Sequence, residues 1–259
     1  MRTINVIGIG AGSPKHITLE AIEALQHSDA VIALDKGDTK QDLLALRQTI
    51  VDTHAPGTPI HAVTDPERDR NPTNYRQEVA RWHSARAQLL ADTIRTNTTD
   101  NSTIAFLVWG DPSLYDSTLR IIERMRRECH LDAHVHTIPG ITAIHALTAA
   151  HNILINRVGE AIHITTGRNL PNETPNNRRN IIVMLDGGTA WQDVAGDNTY
   201  IYWGAYLGTE HQTLRHGWAR DIGEELATLK QQLRQQHGWI MDTYLLREMD
   251  HHTQPTATT

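Results

Sequence analysis

The chain has 259 residues, 39% of them apolar, and a formal net charge of −6. That length strains a single core and points to two domains. The acidic balance excludes a global field attracting nucleic acid or an anionic membrane. The single cysteine, Cys129, rules out an internal disulfide and a cysteine-only metal site. Sixteen histidines are scattered with no HExxH or His-Cys cluster. His134 and His136 share one face of an expected strand without carboxylate partners, so no metal is expected. The N-terminus lacks a secretory signal and no apolar run reaches about 18 residues, so a cytoplasmic protein with no membrane span is expected.

In chain order, "TINVIGIG" reads as a buried strand and "TLEAIEALQHS" as a helix opened by Thr18. "AVIALD" is a second strand, "KQDLLALRQTIVD" a helix and "PIHAV" a weaker strand. An amphipathic helix is predicted over roughly residues 73–95. "TIAFLVWG", "STLRIIERMRRE", "AHVHTI" and "ITAIHALTAAHN" then alternate strand and helix. Such alternation implies a parallel sheet covered on both faces. The second half is strand-rich: "AIHITTG", "IIVMLDGG", "TYIYWGAYLG" and a strand around "LRHGWAR" precede the helix "GEELATLKQQLRQQ" and a last strand, "WIMDTYLL". A mixed sheet is expected there. Residues 170–180 read as an exposed loop. The domains are set at 1–153 and 156–250, with a disordered tail over 251–259.

"VIGIGAGSPKHIT" lies between strand and helix, where open parallel sheets hold ligands. Asp35, ending the second strand, suggests a ribose-binding acid, but the spacing does not suit a dinucleotide. Ser13 takes the place of the third fingerprint glycine, and Pro14 removes a donor that a pyrophosphate would use. A tight strand–helix turn explains the glycines equally well. Two further strands end in Gly-Pro punctuation, Trp109-Gly110-Asp111-Pro112 and "IPGITA" from Ile138 to Ala143. If the strands are parallel, all three endings meet at one carboxyl edge, where the glycines would let a flat, polar ligand approach the backbone.

In this order, "GIGAGSP", "WGDPSLYDST" and "PGITA" resemble the tetrapyrrole methylases, over almost the whole chain. "LDKG", "DPERDR", "VMLDGG" and "YWGAYLGT" are similar to the deacetylating branch of that family, which acts on precorrin-5 in aerobic cobalamin biosynthesis. The resemblance implies a two-domain α/β homodimer with a tetrapyrrole methylase-like fold. Its N-terminal domain would hold a parallel sheet, its C-terminal domain a mixed sheet, and the active site would lie in the cleft between them. It also implies S-adenosyl-L-methionine as cofactor, bordered by Pro14, Trp109, Gly110, Asp111, Leu114, Thr142 and Ala143, with Leu185 and Gly208 from the second domain. Ser13 and Trp109 depart from the family pattern, where Asp and Gly are common.

The implied chemistry is methyl transfer to C-1 of the macrocycle with loss of an acetyl group as acetate. Methyl transfer needs positioning above all, because the electron-rich ring supplies the nucleophile. Deacylation needs water to add to a carbonyl, assisted by a base. Asp35, beside Lys36, or Asp186 is the candidate base, and both also suit turn capping. Tyr115 is the candidate donor to the oxyanion. Arg68 and Arg70 are candidates for the substrate carboxylates, whereas Arg81 and Arg86 read as a solvated helix face. Three alternatives stay open at this point: methylation of another ring position, an NAD(P)-dependent dehydrogenase, and a non-catalytic tetrapyrrole-binding regulator.

Overall fold

The computed structural model describes residues 1–35, 41–69 and 72–249. Lys36, Arg70 and the tail 251–259 therefore lie outside the described residues. The chain forms two compact units, Met1–Thr142 and Ala143–Thr259.

In the first unit β1 (Arg2–Gly8), β2 (Ala30–Asp35), β3 (Ile60–Thr64), β4 (Thr103–Val108) and β5 (Ala133–Ile138) form one sheet in the order β3-β2-β4-β1-β5. Every pairing is parallel. Strand alternation divides the core into two layers. Val6, Ile32, Phe106 and Val108 pack with Leu90 and Ile94 of α3 (Tyr75–Asn97) and with Ile121, Ile122 and Met125 of α4 (Thr118–Glu128). Their neighbours Ile7, Val31, Ala105 and Leu107 pack with Ala21 and Leu25 of α1 (Leu19–Gln26) and with Ile50 and Val51 of α2 (Gln41–His54) on the opposite face. Side-chain oxygens start two of these helices, at Thr18 as the sequence suggests and at Asn74. Thr18 accepts from the Ala21 N–H at 3.1 Å, and Asn74 accepts from the Gln77 N–H at 3.1 Å.

The second unit opens with α5 (Ala143–His151), which the sequence assigns to the first domain. Its contacts explain the difference. The helix packs on β8 (Thr199–Ala205) and β10 (Asp242–Glu248), and His151 Nε2 lies 3.0 Å from the Trp203 carbonyl oxygen. The sheet order is β6-β7-β10-β8-β9, with β6 (His163–Thr166), β7 (Asn180–Met184) and β9 (Thr213–Trp218) completing it. Only β6 and β7 pair in parallel; the rest is antiparallel, the expected mixed sheet. Residues 170–180 are more ordered than a loop: Leu170–Asn172 is a 3₁₀ turn, and α6 (Pro175–Arg178) is capped by Thr174. Leu170 is fully buried, which anchors the segment. After α7 (Trp191–Val194), α8 (Ala219–His237) begins four residues before the glycine expected to open it. Gly223 is accommodated because Trp191 packs over it and reaches its carbonyl oxygen at 3.5 Å.

Under α8 lies a buried polar network. Lys230 Nζ is 2.7 Å from Asp242 Oδ2 and donates to the Asp186 carbonyl oxygen at 2.6 Å. Trp203 Nε1 donates to the same Asp242 oxygen at 2.8 Å. The Lys230 and Asp242 side chains are only 6% and 2% exposed. Burial pushes the Asp242 carboxyl up, and Lys230 opposes that push. A buried charge stripped of its partner is strongly unfavourable. Lys230→Met is therefore expected to destabilise the protein by about 3–5 kcal/mol, and adding Asp242→Asn to recover part of that loss. Denaturant unfolding of both variants is the check, and equal losses in the single and double variants would contradict it.

Candidate functional site

Three strand ends, β4, β1 and β5, stand side by side at the carboxyl edge of the parallel sheet. Each carries one of the three glycine-containing motifs. Their glycines serve each other before any ligand. A Cβ on Gly8 would lie 2.6 Å from the Gly140 nitrogen, and one on Gly140 would lie 2.2 Å from the Gly110 carbonyl oxygen. Backbone packs on backbone here, so Gly140 serves close approach of strands and not of a ligand. Gly110 differs. Its φ is +72°, and a Cβ there would meet only the Thr142 Cα, at 4.0 Å. It is the position of the three where a Cβ would find space, although the residue is buried and its N–H and carbonyl oxygen are both bonded to Gly10.

Two ties hold this edge. Gly10 and Gly110 form an antiparallel bridge, with Gly110 N–H donating to the Gly10 oxygen at 2.8 Å. The carboxylate of Asp111 accepts from the Ser113 N–H at 2.8 Å on one oxygen and from the Gly140 N–H at 2.8 Å on the other. Asp111 thus fastens the end of β4 to the end of β5. Trp109, Leu114 and Thr142 are half-buried around these ties.

The turn after β1 does not run straight into a helix. Pro14–His16 is a 3₁₀ turn whose Ser13 side chain accepts from the Lys15 N–H at 3.2 Å, and α1 starts only at Leu19 behind Thr18. A pyrophosphate would find Pro14 without an N–H and the next helix already capped. The turn fits a ligand without a diphosphate. His16 escaped the sequence reading. Its Cβ would sit 2.2 Å from a Cβ on Gly10, its Nδ1 is buried without a hydrogen-bond partner, and burial lowers its pKa. Nothing in the spacing of "GSPKH" signals this.

Tyr115 does not belong to α4, which begins at Thr118, so helix phase does not aim it. It sits in the preceding turn at φ 52° and is 44% exposed. Asp35 is half-buried at the end of β2, and its carbonyl oxygen accepts from the Asp65 N–H at 2.9 Å. Arg86 forms a bidentate pair with Asp65 and lies 3.4 Å over the Trp82 ring; it is buried, not the solvated residue expected. Arg81 is occupied by Glu78 at 2.6 and 2.7 Å. Arg68 has no ion pair among the described residues. Its guanidinium lies 5.2 Å from the Tyr75 ring and 5.3 Å from the Trp82 ring, and its Nε is buried without a partner.

In the second unit, Leu185 is 59% exposed and has φ 53°, a conformation that costs a leucine free energy. Gly208 has φ 77°, and its N–H donates to Gln212 Oε1 at 2.8 Å. Asp186, the second candidate base, sits in a different setting from Asp35. It is 6% exposed, and its carboxylate accepts from the N–H groups of Gly188 at 2.9 Å and Ala190 at 3.0 Å and from the Tyr244 hydroxyl at 2.9 Å. A buried carboxylate with those bonds holds the turn after β7 and is poorly placed to take a proton from water. Burial, with Asp186 next in size, raises the pKa of Tyr244. No group of three or more metal-ligating side chains occurs among the described residues, and no described helix is long and apolar enough to cross a membrane.

Comparison with known proteins agrees with this architecture. A crystal structure from Corynebacterium diphtheriae, described as related to cobalamin synthesis (CobF), is 65% identical, with a TM-score of 0.87 over 96% of this chain and 100% of that one. A Sinorhizobium sp. protein named precorrin-6A synthase [deacetylating] is 38% identical over 96% of each chain. A uroporphyrin-III C-methyltransferase from Thermus thermophilus, solved with S-adenosyl homocysteine, shares the fold at 16% identity and a TM-score of 0.57, over 95% of this chain and 92% of that one. The family model for tetrapyrrole (corrin/porphyrin) methylases matches residues 3–223. With three motif-bearing strand ends joined at one sheet edge and this likeness along nearly its full length, the chain belongs to the tetrapyrrole methylases.

Proposed function

We propose that this protein is an S-adenosyl-L-methionine-dependent C-methyltransferase of aerobic cobalamin biosynthesis. It would convert precorrin-5 to precorrin-6A by methylating C-1 and releasing the acetyl group as acetate. The near full-length likeness to the Sinorhizobium precorrin-6A synthase carries this reading. The glycine edge supports it: Gly110 leaves room where a side chain would stand beside half-buried Trp109, and the first turn offers no diphosphate site. The same turn argues against the dehydrogenase alternative.

In this reading Pro14, Trp109, Gly110, Asp111, Leu114, Thr142 and Ala143 border the cofactor, joined by Leu185 and Gly208. The bound cofactor supplies an electrophilic methyl group. The protein's part is to orient the macrocycle carbon against it and keep competing nucleophiles out. For deacylation, Asp35 takes a proton from the attacking water, and Tyr115 donates a hydrogen bond to the oxygen that gains charge. The bond from the acetyl carbon to the macrocycle then breaks, and its electron pair stays with the ring. Asp186 is left with its role in the turn. Arg68, braced by Tyr75 and Trp82 and making no ion pair among the described residues, pairs with a substrate carboxylate. The protein acts in the cytoplasm as a homodimer.

Calorimetric titration is expected to show binding of S-adenosylhomocysteine and none of NAD or NADP; binding of a nicotinamide cofactor alone would sink the assignment. Leu185→Asn keeps a residue tolerant of positive φ while deleting the apolar side chain, so it should weaken that binding by about tenfold or more. Asp35→Asn should slow acetate release by about 10²–10⁴-fold and leave S-adenosylhomocysteine affinity unchanged; release at the normal rate would remove Asp35 from the mechanism. Arg68→Glu should raise KM for the tetrapyrrole without altering cofactor affinity, and an unchanged KM would return Arg68 to a packing role.

A further inference from the structure

The helices that follow β3 and β4 gather cations around one histidine. The described charges that act on the His83 ring are Arg86, Arg124, Arg120 and Arg68, and every one is a guanidinium. They come from three places. Arg68 follows β3, Arg86 lies on α3, and Arg120 and Arg124 lie on α4. β3 and β4 flank β2 in a parallel sheet, so α3 and α4 both start at the carboxyl edge where Asp35 ends β2.

Most carboxylates near this group are committed elsewhere. Asp65 holds Arg86 in a bidentate pair, and Glu78 takes Arg81 at 2.6 and 2.7 Å. Glu128 serves Arg124 at 2.9 Å and Arg127 at 2.8 Å. Glu123 acts on Arg127, and Asp69 acts on Arg81. The Asp116 carboxylate is turned to the Thr118 N–H at 2.6 Å. Two cations make no ion pair among the described residues. Arg120 is exposed and donates to the Asp116 carbonyl oxygen at 3.2 Å. Arg68 keeps a buried Nε that meets no acceptor, an unfavourable state that an anion would relieve.

The ground between these two arginines is rigid. Ser84 Oγ accepts from Arg124 Nη1 at 2.8 Å and donates to Glu128 Oε2 at 2.9 Å, which ties α3 to α4. Trp82 is fixed by its Nε1 bond to the Pro66 carbonyl oxygen at 2.8 Å, and His83 stacks against it at 5.4 Å. The half-buried His83 makes no hydrogen bond to a described residue. Burial, and then the four guanidiniums, hold its imidazole below the ordinary histidine range and so neutral at neutral pH.

We propose that Arg68, His83 and Arg120 form a seat between α3 and α4 for a carboxylate arm of the tetrapyrrole. This rests on the precorrin reading above and adds Arg120 and His83 to the contact given there to Arg68. The arginines supply charge, and His83 donates a hydrogen bond once it has taken a proton from solvent. A seated anion favours the imidazolium. The histidine pKa is therefore low in the free protein and higher in the complex, and affinity grows as pH falls.

The probe is uroporphyrin III, a porphyrin with carboxylate arms, titrated into the purified protein by calorimetry in buffers of different ionisation enthalpy. Saturable binding with proton uptake is expected, tightening about threefold or more from about pH 8 to about pH 6, where carboxylates stay ionised. Arg120→Gln should weaken it by about tenfold. His83→Gln should flatten the pH dependence. Arg126→Gln removes the same charge from α4 about 200° around the helix from Arg124, and should change affinity by less than about twofold. Unchanged S-adenosylhomocysteine binding shows that each variant is folded. No saturable binding, an Arg126→Gln loss equal to that of Arg120→Gln, or a pH dependence that survives His83→Gln would overturn the seat. Precorrin-5 turnover with a KM unmoved by Arg120→Gln removes the seat and leaves the reaction standing. Porphyrin binding that needs Arg120 and His83, in a protein that binds NAD and not S-adenosylhomocysteine, keeps the seat and removes the reaction.

Discussion

The contact of Gly8 with Gly140 and the Gly110 carbonyl oxygen sets the rest of the site. Three parallel strands approach closely enough at their carboxyl ends that no side chain fits between the first residues of their loops. The loops must then leave the edge in different ways. After β1 the chain bridges to Gly110 and drops into a 3₁₀ turn; after β4 it rises through Gly110 in a left-handed conformation; after β5 it is held by Asp111. The left-handed turn at Gly110 is a by-product of close packing next door. This is why loop motifs far apart in sequence behave as one unit.

The second unit reaches a comparable precision with charge instead of glycine. The turn after β7 is fixed through both faces of Asp186: its carboxylate receives Gly188, Ala190 and Tyr244, and its carbonyl oxygen receives Lys230. That web holds Leu185 in an unfavourable backbone conformation beside the sheet. Strain of this sort persists only where the surroundings over-determine it. The two units thus fix their turns with different chemistry, close backbone packing in one and a buried carboxylate in the other.

Much of this was legible in the sequence because strand alternation and turn residues are local signals. The parallel sheet follows from alternating strands and helices, and the convergence of three motifs follows once the strands are parallel. What sequence could not supply was partnership. Gly110 and Gly140 look alike as strand-end glycines, yet one is needed for a left-handed turn and the other for close backbone approach, because only three-dimensional neighbours separate those roles. Asp35 and Asp186 both end strands, but Asp186 is consumed by donors from residues up to 58 positions away. Arg86 reads as a surface arginine because its partners, Asp65 and Trp82, are invisible to helical periodicity. Helix α5 carries a pattern that suits either unit, and its packing on β8 and β10 decides.

The strand order also governs how the molecule comes into being. β1 is made first, yet its neighbours in the sheet are β4 and β5, with Thr3 set opposite Thr103 and His134. At ribosomal rates of roughly 5–20 residues per second, the first strand waits about 5–20 s for its first partner. During that interval an apolar segment with both faces destined for the interior has no sheet to join. The central position that makes β1 the keystone of the finished edge therefore makes it the most exposed piece of the nascent chain, and the segment with most to gain from a chaperone's cover.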